Sequence, residues 1–156
     1  MSMHPDTPSS DHASPEFEAY SLLRQINAML EMYHRSDLRN EELTVPQFMI
    51  LNYANADGVP LSDISARMLC DNSNLTGIVE RLISKGFVER RPAPRDRRVS
   101  LICVTPTGAE KLRRLKPHHH ARVSRRMRAL SLDLVHALRD LLQQLFASLQ
   151  VLPHED

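Results

Sequence analysis

The sequence has no tryptophan, two cysteines and four glycines, and only 4% of its residues are aromatic. Each shortage narrows what the chain can be. With so few rings, the core has to be built from Leu, Ile, Val, Met and Ala. No apolar run approaches the ~18 residues that a membrane-spanning helix needs. The opening stretch, "MSMHPDTPSSDHASPE", has no apolar centre of the kind a signal peptide carries, and its Pro, Ser and Asp content predicts a disordered tail over residues 1–15. The expected location is therefore the cytoplasm, with Cys70 and Cys103 as free thiols rather than a disulfide framework. Few glycines leave little material for phosphate-cradling loops. No P-loop, His-Glu-x-x-His or Gly-x-Ser-x-Gly pattern occurs, so no catalytic constellation points to an enzyme.

What is abundant is positive charge, in one place. The formal net charge is only +1, but residues 1–60 carry 3 Lys/Arg against 9 Asp/Glu, residues 61–130 carry 16 against 6, and residues 131–156 carry 1 against 4. A basic middle between acidic ends points to a polyanion-binding module flanked by segments with another task. Five arginines lie between Arg90 and Arg98, around "PAPRD".

Hydrophobic spacing gives the elements. Leu23, Ile26, Leu30 and Tyr33 recur at helical intervals, and Leu22, Met29 and Met32 widen that stripe beyond what one small core requires. "TVPQFMILNYANA" opens with a capping-box spacing, Thr44 to Gln47, and has Pro46 in the first turn. "LSDISARML" reads as a short helix with Ser62 as its N-cap. "SNLTGIVERLISKG" follows a polar break, with Asn72 or Ser73 as a candidate cap and Gly86 as the C-terminal stop. Two short helices across a few polar residues make a helix-turn-helix. "FVERRPAPRDRRVSLICVT" reads as a two-stranded hairpin with Pro92 and Pro94 in its turn. Thr105 caps a fifth helix, which Pro117 is expected to kink. A last helix from Leu132 to Leu149 carries Leu134, Leu138, Leu141, Leu142, Leu145 and Leu149 on one face.

The order of helix, helix, helix and charged hairpin is the winged helix-turn-helix plan. In that plan the N-terminal residues of the second motif helix reach base edges in the DNA major groove. Here they are Ser73, Asn74, Thr76 and Gly77, with Arg81 one turn further on. Asn is suited to bidentate reading of adenine, and Gly77 leaves room for close approach. The hairpin arginines Arg95, Arg97 and Arg98 are placed to enter a narrow minor groove, where negative potential concentrates. Asp96 is the odd member, an acid at a DNA-facing tip. It is read as holding Arg98, or the turn itself, by a charge-assisted hydrogen bond.

The stretch "LSDISARMLCDNSNLTGIVERLISKGFVERRPAPRDRRVSLICVTPTGAEKL" resembles the DNA-binding core of the MarR family of bacterial transcription regulators. The resemblance is carried by Leu75, Thr76 and Leu82, by "KGFVERR", by Asp96-Arg97-Arg98, and by Leu101 with "VTPTG". It implies a mostly α fold. A winged helix-turn-helix over residues 44–105 would be flanked by an N-terminal dimerisation helix (16–43) and by C-terminal helices (106–152) that complete the dimer. It implies a homodimer on a palindromic operator in double-stranded DNA, more often a repressor than an activator. It places Arg98 in the minor groove, set by Asp96. It also implies a small effector, often an aromatic acid, in a cleft between the dimer helices and the DNA-binding lobe. The residues expected to line that cleft are Arg24, which suits a carboxylate, with Met49, Tyr53 and His119.

The alternatives are an architectural nucleic-acid binder without ligand control and an oxidant sensor using Cys70, whose place before a helix N-terminus favours a thiolate. Family members that sense oxidants do so through a first-helix cysteine, which this chain lacks. His118, His119 and His120 are consecutive, so on a helix they point ~100° apart and do not converge on one ion. No metal, no cofactor and no membrane partner is expected.

Overall fold

The computed structural model describes residues 14–152; residues 1–13, which hold most of the expected tail, lie outside the described part. Among the described residues are six helices and three short strands. They run α1 (Pro15–Leu38), α2 (Val45–Tyr53), β1 (Val59–Pro60), α3 (Leu61–Met68), α4 (Asn72–Ser84), β2 (Val88–Pro92), β3 (Ser100–Val104), α5 (Pro106–Met127) and α6 (Leu132–Val151).

The helix ends follow from local chemistry, with three corrections to the sequence reading. α1 starts at Pro15, because Ser14 Oγ accepts from the Phe17 N–H at 3.3 Å and Pro15 has no N–H to leave unpaired. It stops at Leu38, and turns rather than helix lead on to α2. The Thr44–Gln47 capping box forms as expected: Thr44 Oγ1 accepts from the Gln47 N–H, and Gln47 Oε1 accepts from the Thr44 N–H at 3.1 Å. Ser62 does not cap α3. The chain enters that helix straight from β1, so Pro60 holds the cap position and the Ser62 hydroxyl donates to Asp63 instead. Neither Asn72 nor Ser73 caps α4, whose cap position is Asp71. α5 continues through Pro117 to Met127.

The link between α3 and α4 is tight. Leu69 adopts a left-handed conformation (φ 50°), the Cys70 N–H reaches back to the Ser65 carbonyl at 3.3 Å, and the Ser65 hydroxyl donates to the Cys70 carbonyl. These bonds satisfy backbone groups at the end of α3 and turn the chain into α4. α4 ends in a Schellman motif. Gly86 (φ 69°) donates to the Ile83 carbonyl at 2.8 Å, and Phe87 donates to Leu82 at 3.0 Å. That geometry sends the chain directly into β2.

The sheet has three strands, not the expected two, in the order β1-β3-β2, all antiparallel. β1 is two residues long and pairs Val59 with Ile102, so its apolar content was too short to register as a strand. Pro92 also sits inside a strand, as the last residue of β2 opposite Ser100. Proline is tolerated there because β2 is an edge strand.

One core joins these parts. Ile50 and Leu51 of α2, Ile64 of α3, Leu75, Val79 and Leu82 of α4, and Ile102 of β3 are all fully buried. Truncating any one of these leucines or isoleucines to alanine costs about 2–5 kcal/mol. α5 docks on this body through Thr105, whose hydroxyl donates to the Gly86 carbonyl at 2.6 Å and accepts from the Gly108 N–H at 3.0 Å. A Cβ at Gly108 would lie 2.0 Å from the Phe87 carbonyl oxygen, so only glycine fits that crossing.

The two end helices behave differently. Leu38 is the only buried residue of α1, and α6 has none. Phe17, Tyr20, Leu22, Ile26, Met29 and Met32 of α1 are exposed, as are Leu134, Leu141, Leu145, Phe146 and Leu149 of α6. The C-terminal end of α1 is tied to α5 by Arg126, which donates to Asp37 Oδ1 at 2.9 Å and stacks over the Tyr33 ring. Lys111 of α5 pairs with Glu41 at 3.0 Å.

Candidate functional site

α4 is amphipathic by construction. Leu75, Val79 and Leu82 fix one face in the core, so Ser73, Asn74, Thr76, Gly77 and Arg81 all stand on the exposed face. Gly77 is not required by packing. A Cβ built there would meet only Arg81 Nη1, at 4.0 Å. Glycine inside a helix costs about 0.5–1 kcal/mol relative to alanine, so its presence is not explained by the fold.

The hairpin tip carries its charge into solvent. Arg95, Arg97 and Arg98 are exposed, and among the described residues none of them forms an ion pair. Arg90 and Arg91 are partnered, by Glu80 of α4 at 3.1 Å and by Glu89 respectively. Arg90, Arg91, Arg97 and Arg98 together line a shallow depression on the hairpin. Asp96 organises the tip through the backbone: its Oδ1 accepts from the Arg98 N–H at 2.9 Å, its carbonyl accepts from the Val99 N–H at 3.0 Å, and the Ala93 N–H closes the turn onto the Val99 carbonyl at 2.9 Å. Of the two options in the sequence reading, the turn is what Asp96 holds, and the Arg98 guanidinium is left free. Glu80 adds a feature that the sequence reading missed. Through Arg90 it links β2 to α4 by an ion pair at the surface, beside the direct chain connection at Gly86.

A separate cavity lies between α1, α2 and α5, lined by His34, Leu38, Val45, Phe48, Met49, Asn52, Tyr53 and His119, with a volume of about 220 Å³. Three of the four residues expected in a cleft are there: Met49, Tyr53 and His119. Arg24 is not. It is exposed on α1 about three turns before His34; among the described residues no arginine or lysine lines this cavity, while the Arg67 guanidinium lies over the Tyr53 ring at 5.7 Å. His34, Phe48 and Asn52 were missed as lining residues. Only the packing of α1 across α2 brings them together. The His119 ring lies 5.1 Å from that of Phe48 and 5.5 Å from that of His34. Burial, followed by the nearby His34 and His120, lowers the His119 pKa from its ordinary value, which favours the neutral ring. On its other side His119 borders a second cavity of about 170 Å³ that includes Asp37, Glu41 and Arg122.

Cys103 is fully buried in β3, and Cys70 packs partly buried against the core. Among the described residues, no group of three or more His, Cys, Asp or Glu is placed to hold a metal ion, and no helix is long and apolar enough to cross a membrane.

A tight two-helix turn whose second helix presents a polar face, flanked by an arginine-tipped hairpin, defines a winged helix-turn-helix. Comparison with known proteins agrees. The model of the MarR family matches residues 43–100. The chain is 27% identical to the HTH-type transcriptional repressor IacR of Pseudomonas putida, over 96% of this chain and 89% of that one. Among solved structures it is similar to CouR from Rhodococcus jostii RHA1 bound to p-coumaroyl-CoA (29% identity, TM-score 0.72, 80% of this chain and 88% of that one). It is also similar to a mutant MarR from E. coli complexed with operator DNA (25% identity, TM-score 0.76, 87% and 99%). Residues 43–100 are a MarR-family domain, and over most of its length the chain is similar to transcription regulators of that family.

Proposed function

We propose that this chain is a homodimeric repressor that binds a palindromic operator in double-stranded DNA and is released from it by a small-molecule effector. One observation carries the DNA-binding part of this reading. The exposed polar face of α4 and the wing arginines, which form no ion pair among the described residues, belong to elements joined directly by the Gly86 turn and bridged at the surface by the Glu80–Arg90 pair. Ser73, Asn74, Thr76 and Gly77 would meet base edges in the major groove, with Arg81 on the flanking phosphate. Arg95, Arg97 and Arg98 would reach the adjacent minor groove, on a turn shaped by Asp96.

The dimer would form through residues 16–43 and 106–152, the segments outside the winged core. Helix α6 supports this, because none of its residues is buried among the described residues of its own chain. Each of its leucines, once buried, contributes about 1.5–3 kcal/mol. The effector would occupy the cavity at His34, Met49, Asn52, Tyr53 and His119. That cavity favours ligand control over a purely architectural role. Neither the packed Cys70 nor the buried Cys103 favours oxidant sensing.

The test is equilibrium binding to a random-sequence duplex across a salt series. A basic, phosphate-contacting interface gives a log–log slope of about −0.9 per neutralised phosphate, and Arg98→Ala should flatten it by about 0.9. Salt-independent binding, or an unchanged slope in Arg98→Ala, would contradict the placement of the wing on DNA.

A further inference from the structure

We infer that Leu69, in the turn between α3 and α4, is a specificity-determining residue for DNA, and that its side chain takes the 5-methyl group of a thymine in the major groove. The inference rests on reading α4 as the helix that enters that groove, and it adds an apolar contact to the polar ones named above.

The backbone poses the question. Leu69 stands at φ 50°, ψ 46°, in the left-handed region. A side chain is disfavoured there because its Cβ crowds the following carbonyl oxygen, and glycine is the usual occupant at the end of a helix. Nothing in the turn calls for a leucine. The Leu69 N–H donates to the Ala66 carbonyl at 3.4 Å, the Cys70 N–H to the Ser65 carbonyl at 3.3 Å, and the Ser65 hydroxyl to the Cys70 carbonyl. A glycine at position 69 would keep all three bonds.

Packing does not call for a leucine either. Leu69 is 76% exposed, while Met68 and Cys70 on either side pack against the core. From α2 to the end of α5, Val99 of the wing is the only other large apolar side chain left exposed among the described residues. A lone exposed leucine is ordinary. One held out on a disfavoured backbone, in a turn clamped by three hydrogen bonds, is a rigid apolar knob that the fold alone does not explain.

Its position says what the knob meets. Leu69 comes four residues before Ser73, a span of at most about 14 Å, and Asp71 between them holds the N-cap position of α4. The knob therefore stands beside the end of α4 that carries Ser73 and Asn74. No Lys or Arg lies between Arg67 and Arg81, and Asp71 is exposed. This stretch has no cation to hold a phosphate, and an apolar side chain gains nothing from one. On the base edges of the major groove, the thymine 5-methyl is the one apolar group. Bringing it against Leu69 removes apolar surface on both partners from water.

The test is selection of bound sequences from a random duplex library, run in parallel with the full chain and with Leu69→Gly. That variant also relieves the backbone, so it should melt no lower than the unaltered chain. The unaltered chain should enrich a thymine at one fixed position in each half-site, and Leu69→Gly should enrich the same repeat with that position degenerate. Deoxyuridine is then put in place of that thymine, which removes the methyl alone. The unaltered chain should lose about fourfold in affinity per half-site, the equivalent of burying one methyl-sized group, and Leu69→Gly should lose nothing. The deoxyuridine arm on the unaltered chain decides the matter even if Leu69→Gly fails to fold. Identical preferences in the two proteins, or no loss on deoxyuridine at any selected thymine, would overturn the inference and leave Leu69 to a protein partner, with α4 still the reading helix. If neither protein enriches any sequence, the placement of α4 on DNA fails, and the inference with it.

Discussion

Asp96 Oδ1 accepts a hydrogen bond from the backbone N–H of Arg98 at 2.9 Å, within a turn that the Val99 N–H closes onto the Asp96 carbonyl. The acid at the tip of a basic wing therefore shapes the backbone that carries the arginine. Simple electrostatics says that Asp96→Ala removes a repulsive charge and tightens DNA binding, most at low salt. The turn geometry says the opposite. Asp96→Ala should weaken binding, and the Asp96→Ala/Arg98→Ala double variant should cost little more than Arg98→Ala alone in a double-mutant cycle. Additive losses, or tighter binding by Asp96→Ala, would separate the acid from the function of Arg98.

Gly77 separates folding from binding. Its Cβ would meet only the flexible end of Arg81, at 4.0 Å, so Gly77→Ala should stabilise the fold by about 0.5–1 kcal/mol in denaturant unfolding. The same methyl would stand between α4 and the groove, and DNA affinity should fall. A variant that is both more stable and fully active would remove close backbone approach as the reason for this glycine.

Asn74 tests base reading. Asn74→Ala should narrow the gap between preferred and scrambled duplexes by about 1–3 kcal/mol, measured by competition. Equal weakening on all duplexes would make Asn74 a phosphate contact.

Helix α6 tests assembly. It buries no residue in its own chain, so Leu142→Glu with Leu145→Glu should leave the winged core folded and shift the protein from dimer to monomer in analytical ultracentrifugation. DNA affinity should drop with it, since each monomer presents a single half-site reader. A dimer that survives both substitutions would place the partner surface elsewhere.

Much of this was legible in the sequence because it is local. The Thr44 capping box, the Gly86 stop and the Thr105 cap each depend on a few neighbouring residues, and each formed as read. The misreadings have physical causes as well. Ser62 looked like a cap until β1 took the chain straight into α3, and a two-residue strand is too short for periodicity to show. Arg24 has the chemistry to meet a carboxylate, but its place along α1 puts it about three turns away from the cavity. His34, Phe48 and Asn52 line that cavity only because α1 crosses α2, a long-range relation that spacing along the chain does not encode. The Glu80–Arg90 link is of the same kind, joining a helix to a strand through side chains.

The central claim is that two copies of α4 and its wing read one duplex together. Selection of bound sequences from a random duplex library, using the full chain, tests it most directly. The account predicts enrichment of an inverted repeat whose half-sites are centred about one helical turn apart, ~34 Å, with A·T-rich flanks where the wings lie. Enrichment of a single asymmetric site, or no enrichment over the starting library, would contradict it.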